Sequence, residues 1–212
     1  MKEESVSFPC GQISLEGVLG LPEGKGPFPA VVVCHPHPLF GGSMDNNVVA
    51  AVCAALGREK IAWLKFNFRG VGRSGGIFAE GIGEQDDVKS ALTFLMTLSE
   101  IDPARLALCG YSFGAAVAIP VADIDERVQA IAAISPVFEF PGLLKSYARP
   151  KLFICGEEDE FINHQELGRI VSELPEPKGY ECIPGADHFW RGVEKELEAK
   201  SGRFFASVLK RK

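Results

Sequence analysis

Ser112 is the residue whose neighbours best equip it to do chemistry. It stands in Gly110-Tyr111-Ser112-Phe113-Gly114, between an apolar, strand-like run at 105–109 and an alanine-rich, helix-like stretch at 113–122. Five residues leave no slack for a loop, so the backbone must turn sharply at the serine. The glycines are the small neighbours that such a turn needs where strand and helix crowd it. The turn lifts the hydroxyl above the sheet, over a helix N-terminus that favours developing negative charge, which suits attack on an acyl carbon. A glycine-rich structural turn is the bland alternative, and the strand–turn–helix placement argues against it. A serine nucleophile also needs a base within hydrogen-bond reach and a carboxylate to orient that base. The histidines on offer are His35, His37, His164 and His188.

The pattern of apolar residues shows what could hold these side chains. Continuous apolar runs at 30–34, 62–68, 105–109, 130–134 and 151–155, with a shorter one at 180–183, read as strands buried on both faces. Segments 5–8 and 13–19 read as an earlier hairpin through Pro9-Cys10-Gly11, the second strand alternating apolar and polar residues. Helix-like stretches lie at 47–60, 85–98, 113–122, 164–174 and 192–209, several preceded by Ser, Asp or Asn that can cap them. This alternation predicts the α/β class: a mostly parallel twisted sheet with helices on both faces, in a single domain over 1–212. In such sheets the active residues gather just beyond the carboxyl ends of the strands.

Composition narrows the function. The chain has 212 residues, 46% hydrophobic and 24% charged, with a formal net charge of -6. That sign disfavours a nucleic-acid or anionic-membrane partner. No window reaches the roughly 18 apolar residues of a membrane span. Met1-Lys2-Glu3-Glu4-Ser5 carries acids where a secretion signal needs bases, so a cytoplasmic location is expected. Cys34, Cys109, Cys155 and Cys182 lie in apolar runs with no CxxC pair, which predicts buried free thiols rather than a disulfide frame or a zinc site.

Two further segments complete a family pattern. One is His35-Pro36-His37-Pro38, and the other is Asn67-Phe68-Arg69-Gly70-Val71-Gly72-Arg73-Ser74. With the serine turn, they make the chain resemble the α/β-hydrolase superfamily over essentially its full length. It is most similar to small serine hydrolases carrying these two segments. It is also similar to dienelactone-hydrolase-like proteins, which commonly have cysteine where this chain has Ser112. The resemblance implies an α/β-hydrolase fold and hydrolysis through an acyl-enzyme, without implying a substrate. A dehalogenase would need aspartate at position 112.

The superfamily's chain order is nucleophile, acid, histidine. His164 and His188 follow Ser112. His188, in Pro184-Gly185-Ala186-Asp187-His188-Phe189-Trp190, sits in a loop after a late strand and resembles the family's histidine loop. His164 opens a helix and reads as a surface or capping residue. For the acid, Asp123 and Asp125 precede a strand and so lie at the wrong end of the sheet. Asp187 adjoins His188 and is badly placed to receive its ring N–H. Asp159 follows the strand at 151–155 and resembles the family's acid turn. Glu139, after the preceding strand, is the runner-up. The expected assignment is Ser112 as nucleophile, His188 as base and Asp159 as orienting acid.

The oxyanion of a tetrahedral intermediate needs two N–H donors. Phe113, the residue after the nucleophile, should supply one. The other should come from the loop at 35–42, where Pro36 and Pro38 have no N–H and stiffen His37 between them. His37 is the expected donor, with Leu39 as fallback, and His35 is expected to brace the loop. The HxH spacing has no third partner, so no metal is expected, and no cofactor. Segment 67–76 lacks the Gly-Lys-Ser/Thr of a P-loop and the GxGxxG of a dinucleotide site. Arg69 and Arg73 are expected to pair with carboxylates.

Residues 135–150, where many relatives insert a lid, can hold one short helix at most. The site should therefore be open, with Phe40, Phe138, Leu143 and Phe189 among its substrate-binding walls, and Phe140 and Leu144 beside them. This suits a small soluble ester or thioester. The competing readings are a non-catalytic ligand-binding or interaction protein on the same fold, and a peptidase. The oligomeric state is not legible: apolar positions on an edge strand or the last helix are compatible with a homodimer and equally with core.

Overall fold

The computed structural model describes residues 1–137 and 142–210. Its first two strands, β1 (Lys2–Cys10) and β2 (Ile13–Leu21), form a hairpin turned at Gly11, whose positive φ of 59° suits a residue without Cβ. β2 runs antiparallel to β4 (Ala62–Phe66). The other strands, β3 (Phe28–Cys34), β5 (Ile101–Tyr111), β6 (Val128–Ile134), β7 (Lys151–Gly156) and β8 (Lys178–Ile183), are parallel to their neighbours. The order across the sheet is β1-β2-β4-β3-β5-β6-β7-β8.

Helices cover both faces. On one side α1 (Asn47–Arg58) packs against α5 (Glu194–Leu209). On the other lie α2 (Gly83–Met96), α3 (Phe113–Ile124) and α4 (His164–Glu173). Strand side chains alternate between the two layers. Ala30, Val32 and Cys34 face α2 and α3, while Val31 and Val33 face α1 and α5. Burial on both faces explains why the central strands read as continuous apolar runs. Asn46 and Asn163 cap α1 and α4, each accepting backbone N–H bonds at its side-chain oxygen. Among the described residues no helix is long and apolar enough to cross a membrane. The cysteines are unbridged, with Cys182 half-buried and the rest buried.

Some boundaries differ from the apolar runs, for local reasons. β5 starts at Ile101 because its polar beginning pairs with the start of β3, where Phe28 N–H donates to the Glu100 carbonyl at 2.7 Å. β4 ends near Phe66 because the ladder to β2 reaches only one bond further before the backbone turns to a side chain. Asn67 N–H donates to the Glu16 carbonyl and Phe68 N–H to His35 Nε2.

Segment 67–75 is held by buried charge. Arg69 grips the fully buried Asp87 through its backbone N–H (2.9 Å), Nε (3.0 Å) and Nη2 (2.8 Å). Arg73 and Asn67 both donate to Glu16. Removing one partner of a buried pair leaves the other uncompensated. Asp87→Ala is therefore expected to lower unfolding free energy by about 3 kcal/mol or more. Urea unfolding checks this: the midpoint should fall with little change in slope. An unmoved midpoint would mean that the pair contributes nothing.

Candidate active site

The carboxyl ends of β3, β5, β6, β7 and β8 bring one cluster of residues together. Ser112 sits between β5 and α3 with φ +53° and ψ −118°, a strained conformation for a residue with a Cβ. Its N–H donates to the Ile134 carbonyl at 2.9 Å. The turn is this tight because Gly114 has no side chain: a Cβ there would come within 2.3 Å of the Cys34 carbonyl oxygen. Ser112 is 8% exposed, so its hydroxyl is reachable but largely shielded.

His188 lies 3.0 Å from Ser112, Nε2 to Oγ. Its Nδ1 is 2.9 Å from both Oδ1 and Oδ2 of Asp159. A carboxylate can only accept, so Nδ1 carries the proton and Nε2 presents its lone pair to the serine hydroxyl. Asp159 Oδ1 also accepts from the N–H groups of Phe161 (3.0 Å) and Ile162 (3.1 Å). Burial works against its charge. The bonds from His188 and the Phe161 N–H, with the charge of the imidazolium, outweigh burial and hold the carboxyl below its usual range.

The acid turn and the histidine loop are tied to each other. Glu157 and Glu158 N–H donate to the Ile183 and Ala186 carbonyls at 3.0 and 2.9 Å. This approach requires Gly156, where a Cβ would stand 2.0 Å from the Ala186 oxygen. The buried Tyr111 hydroxyl donates to the His188 carbonyl at 2.6 Å and pins the loop from beneath.

The competing residues are engaged elsewhere. Asp187 accepts from the Phe189 and Trp190 N–H groups. Asp123 accepts from Leu144 N–H, and Asp125 pairs with Arg127. His164 follows the α4 cap rather than being it, and its carbonyl accepts from Tyr180. Glu139 and Phe138 lie outside the described residues, as does Phe140.

Beside the serine turn, the loop after β3 closes into a single 3-10 turn at Pro38–Phe40. His35 is fully buried. Its Nδ1–H donates to the Pro36 carbonyl at 2.6 Å, and its Nε2 accepts from Phe68 N–H at 3.0 Å. Burial pushes its pKa down to about 4, against the Pro36 bond, so it stays neutral as a brace between loops. The His37 ring packs on Phe113 at 4.8 Å and between Phe40 and Phe78. Leu39 N–H, the fallback oxyanion donor, is engaged with His37 Nδ1. The N–H groups of His37 and Phe113 donate to no acceptor among the described residues.

The mouth of the site is apolar. Phe40 is 87% exposed, Phe161 64% and Phe189 48%. The Phe161 ring stands 4.7 Å from the His188 ring, and Phe189 lies against both. Phe161 also borders a groove of about 230 Å³ shared with Pro136, Val137 and Ile162. Leu143 is half-buried against the core beneath α3, and Leu144 is fully buried there. Sequence reasoning passed over Phe161, Phe78, Tyr111 and Ser135. The rule of strand carboxyl ends could have flagged Ser135, which directly follows β6.

The fold is that of the α/β hydrolases without a lid. The family model described as serine aminopeptidase, S33 matches residues 27–149, and the chain belongs to that family of α/β serine hydrolases. An uncharacterized protein of Rickettsia prowazekii is 33% identical over 191 residues, covering 85% of this chain and 79% of its own. A thiohydrolase of Arthrinium phaeospermum is 36% identical over 141 residues, which is 63% of this chain and 44% of that protein. Among solved structures, a serine hydrolase without lid from Xanthomonas campestris superposes with TM-score 0.86 at 29% identity, covering 100% of this chain and 97% of that one.

Proposed function

We propose that this chain cleaves an ester or thioester of a small soluble substrate through an acyl-enzyme on Ser112. The observation that carries this reading is the unbroken contact from Ser112 Oγ through His188 to Asp159, at 3.0 and 2.9 Å. Ser112 Oγ attacks the acyl carbon as its proton passes to His188 Nε2. Asp159 holds the resulting imidazolium in place. The N–H groups of Phe113 and His37 receive the oxyanion, which suits donors with no other acceptor among the described residues. Collapse expels the alcohol or thiol, which takes the proton from Nε2. Water then repeats the sequence on acyl-Ser112. These steps need no metal or cofactor.

The substrate class follows from the mouth. Exposed phenylalanines around a site without a lid favour a short apolar or aromatic group on a soluble ester. The thiohydrolase relative supports keeping thioesters in the class. The test is hydrolysis of p-nitrophenyl acetate, butyrate and octanoate. The short esters should be good substrates. Phe161→Ala should raise KM for butyrate roughly tenfold with kcat little changed, because lost apolar contact is shared by ground and transition states. Long-chain triglyceride emulsions cleaved in preference to short esters would contradict the reading. Aminoacyl p-nitroanilides in the same assay test the peptidase alternative: cleavage faster than that of the esters would replace this proposal.

A further inference from the structure

The histidine loop carries a cation that the mechanism does not use. Arg191 is exposed, and its guanidinium carbon lies over the Phe189 ring, 5.6 Å from the ring centre. The chain around it is held from several sides. Trp190 is fully buried, and its indole N–H donates to Ser135 Oγ at 3.0 Å. Val193 N–H donates back to the Trp190 carbonyl at 3.3 Å and closes a turn with Arg191 at its second position. Gly192, at the third, has φ +81°, as a type II turn requires there. The Phe189 carbonyl accepts from Asn47 Nδ2 of α1 at 3.0 Å.

What Arg191 lacks is a carboxylate. Arg58, Arg69, Arg73, Arg105, Arg127 and Arg169 each pair with one. Arg191 has no hydrogen-bond or ion-pair partner among the described residues, although the chain has a net charge of -6. The acids nearest to it in sequence are engaged. Asp187 accepts from the Phe189 and Trp190 N–H groups, and Glu194 accepts from Asn47 Nδ2 at 3.2 Å. Arg203 also lacks a carboxylate partner among the described residues, but it lies on α5 beside Arg58 and Glu59, where α1 ends.

The proposed chemistry decides which part of a substrate meets this loop. His188 Nε2 hands its proton to the leaving atom, which must come within hydrogen-bond reach of it. The leaving group then lies along the rings packed on His188. Tyr111 is buried beneath, so the rings open to solvent are Phe161 at 4.7 Å and Phe189 at 5.8 Å. The loop after β3, packed on Phe113 through His37, borders the acyl side. We propose that Phe161, Phe189 and Arg191 form a leaving-group subsite, which takes an apolar or aromatic alcohol or thiol bearing a carboxylate. This rests on the proposed roles of Ser112 and His188. The planar guanidinium matches a carboxylate with two parallel hydrogen bonds. One arginine neutralises one negative charge, which suits a carboxylate better than a phosphate dianion.

The test uses three butyrate esters that differ at one position of the leaving phenol: 3-carboxyphenyl, 3-carbamoylphenyl and 3-(trimethylammonio)phenyl butyrate. Each kcat/KM is divided by that ester's alkaline hydrolysis rate, which removes its intrinsic reactivity. Wild type should prefer the carboxy ester to the carbamoyl ester. Arg191→Gln should lower that ratio roughly fivefold, through KM. Arg191→Lys, which keeps the charge without the planar fork, should lower it less. Added salt should shrink the wild-type ratio and leave that of Arg191→Gln little changed. Arg191 is exposed, so both variants should fold, and their melting temperatures are the control. An equal ratio in folded Arg191→Gln and wild type overturns the inference. So does a wild-type preference for the ammonium ester, which the exposed Glu157, Glu158 and Glu160 of the acid turn would favour. Wild type inert to all three esters, or Ser112→Ala as active as wild type, would instead overturn the reading on which it rests.

Discussion

Ser112→Ala is expected to lower kcat/KM toward p-nitrophenyl butyrate by roughly a hundred-thousandfold or more. The size follows from what one atom does in the proposed mechanism. Oγ is the bond-forming centre, and nothing adjacent can replace it: Tyr111 is bonded to the His188 carbonyl, and Phe113 carries no nucleophile. The donors of the oxyanion site remain, so a small residual rate through direct attack of water should persist. Folding should be unharmed, because the Ser112 hydroxyl makes one side-chain bond, to His188. The melting temperature of the variant provides that control. A loss of less than about a hundredfold would show that Ser112 is not the nucleophile.

Asp159→Asn should be nearly as severe, at about ten-thousandfold in kcat. The substitution preserves size and reverses hydrogen-bond polarity. Phe161 and Ile162 N–H both aim at Oδ1, so the amide oxygen must take that position. The amide nitrogen then takes the place of Oδ2, 2.9 Å from His188 Nδ1, where it donates instead of accepting. The amide oxygen stays 2.9 Å from Nδ1, but the donating nitrogen at the same distance favours the proton on Nε2, which then no longer accepts from Ser112. No negative charge remains to stabilise the imidazolium. KM should change little, since no substrate contact is lost. A kcat within about tenfold of wild type would assign the acid elsewhere and return attention to Glu139.

The parts of this site that sequence reasoning reached are those set by local chemistry or by chain order. The turn at Ser112 is legible because strand, glycines and helix are contiguous. Asp159 and His188 are legible because each follows a strand at its carboxyl end, in the order that the family resemblance supplies. Arg69 and Arg73 could be expected to find carboxylates. That the partners are Asp87 on α2 and Glu16 on β2 is a property of the folded sheet. The same holds for Trp190 and Ser135, which are 55 residues apart and meet only because β6 ends beneath the histidine loop. Rim residues are the hardest to read. Phe40 and Leu143 look alike as apolar loop residues, yet one stands in solvent at the mouth and the other lies against the core.

In the proposed mechanism Ser112 is an activated nucleophile. The most direct measurement is intact and peptide mass spectrometry after treatment with a fluorophosphonate, which reacts with serines activated in this way. One adduct per chain is expected on the peptide containing Ser112, absent from Ser112→Ala and formed far more slowly in Asp159→Asn. No adduct on Ser112 in folded wild type, or an equal adduct in Ser112→Ala, would contradict it and favour a ligand-binding protein on this fold.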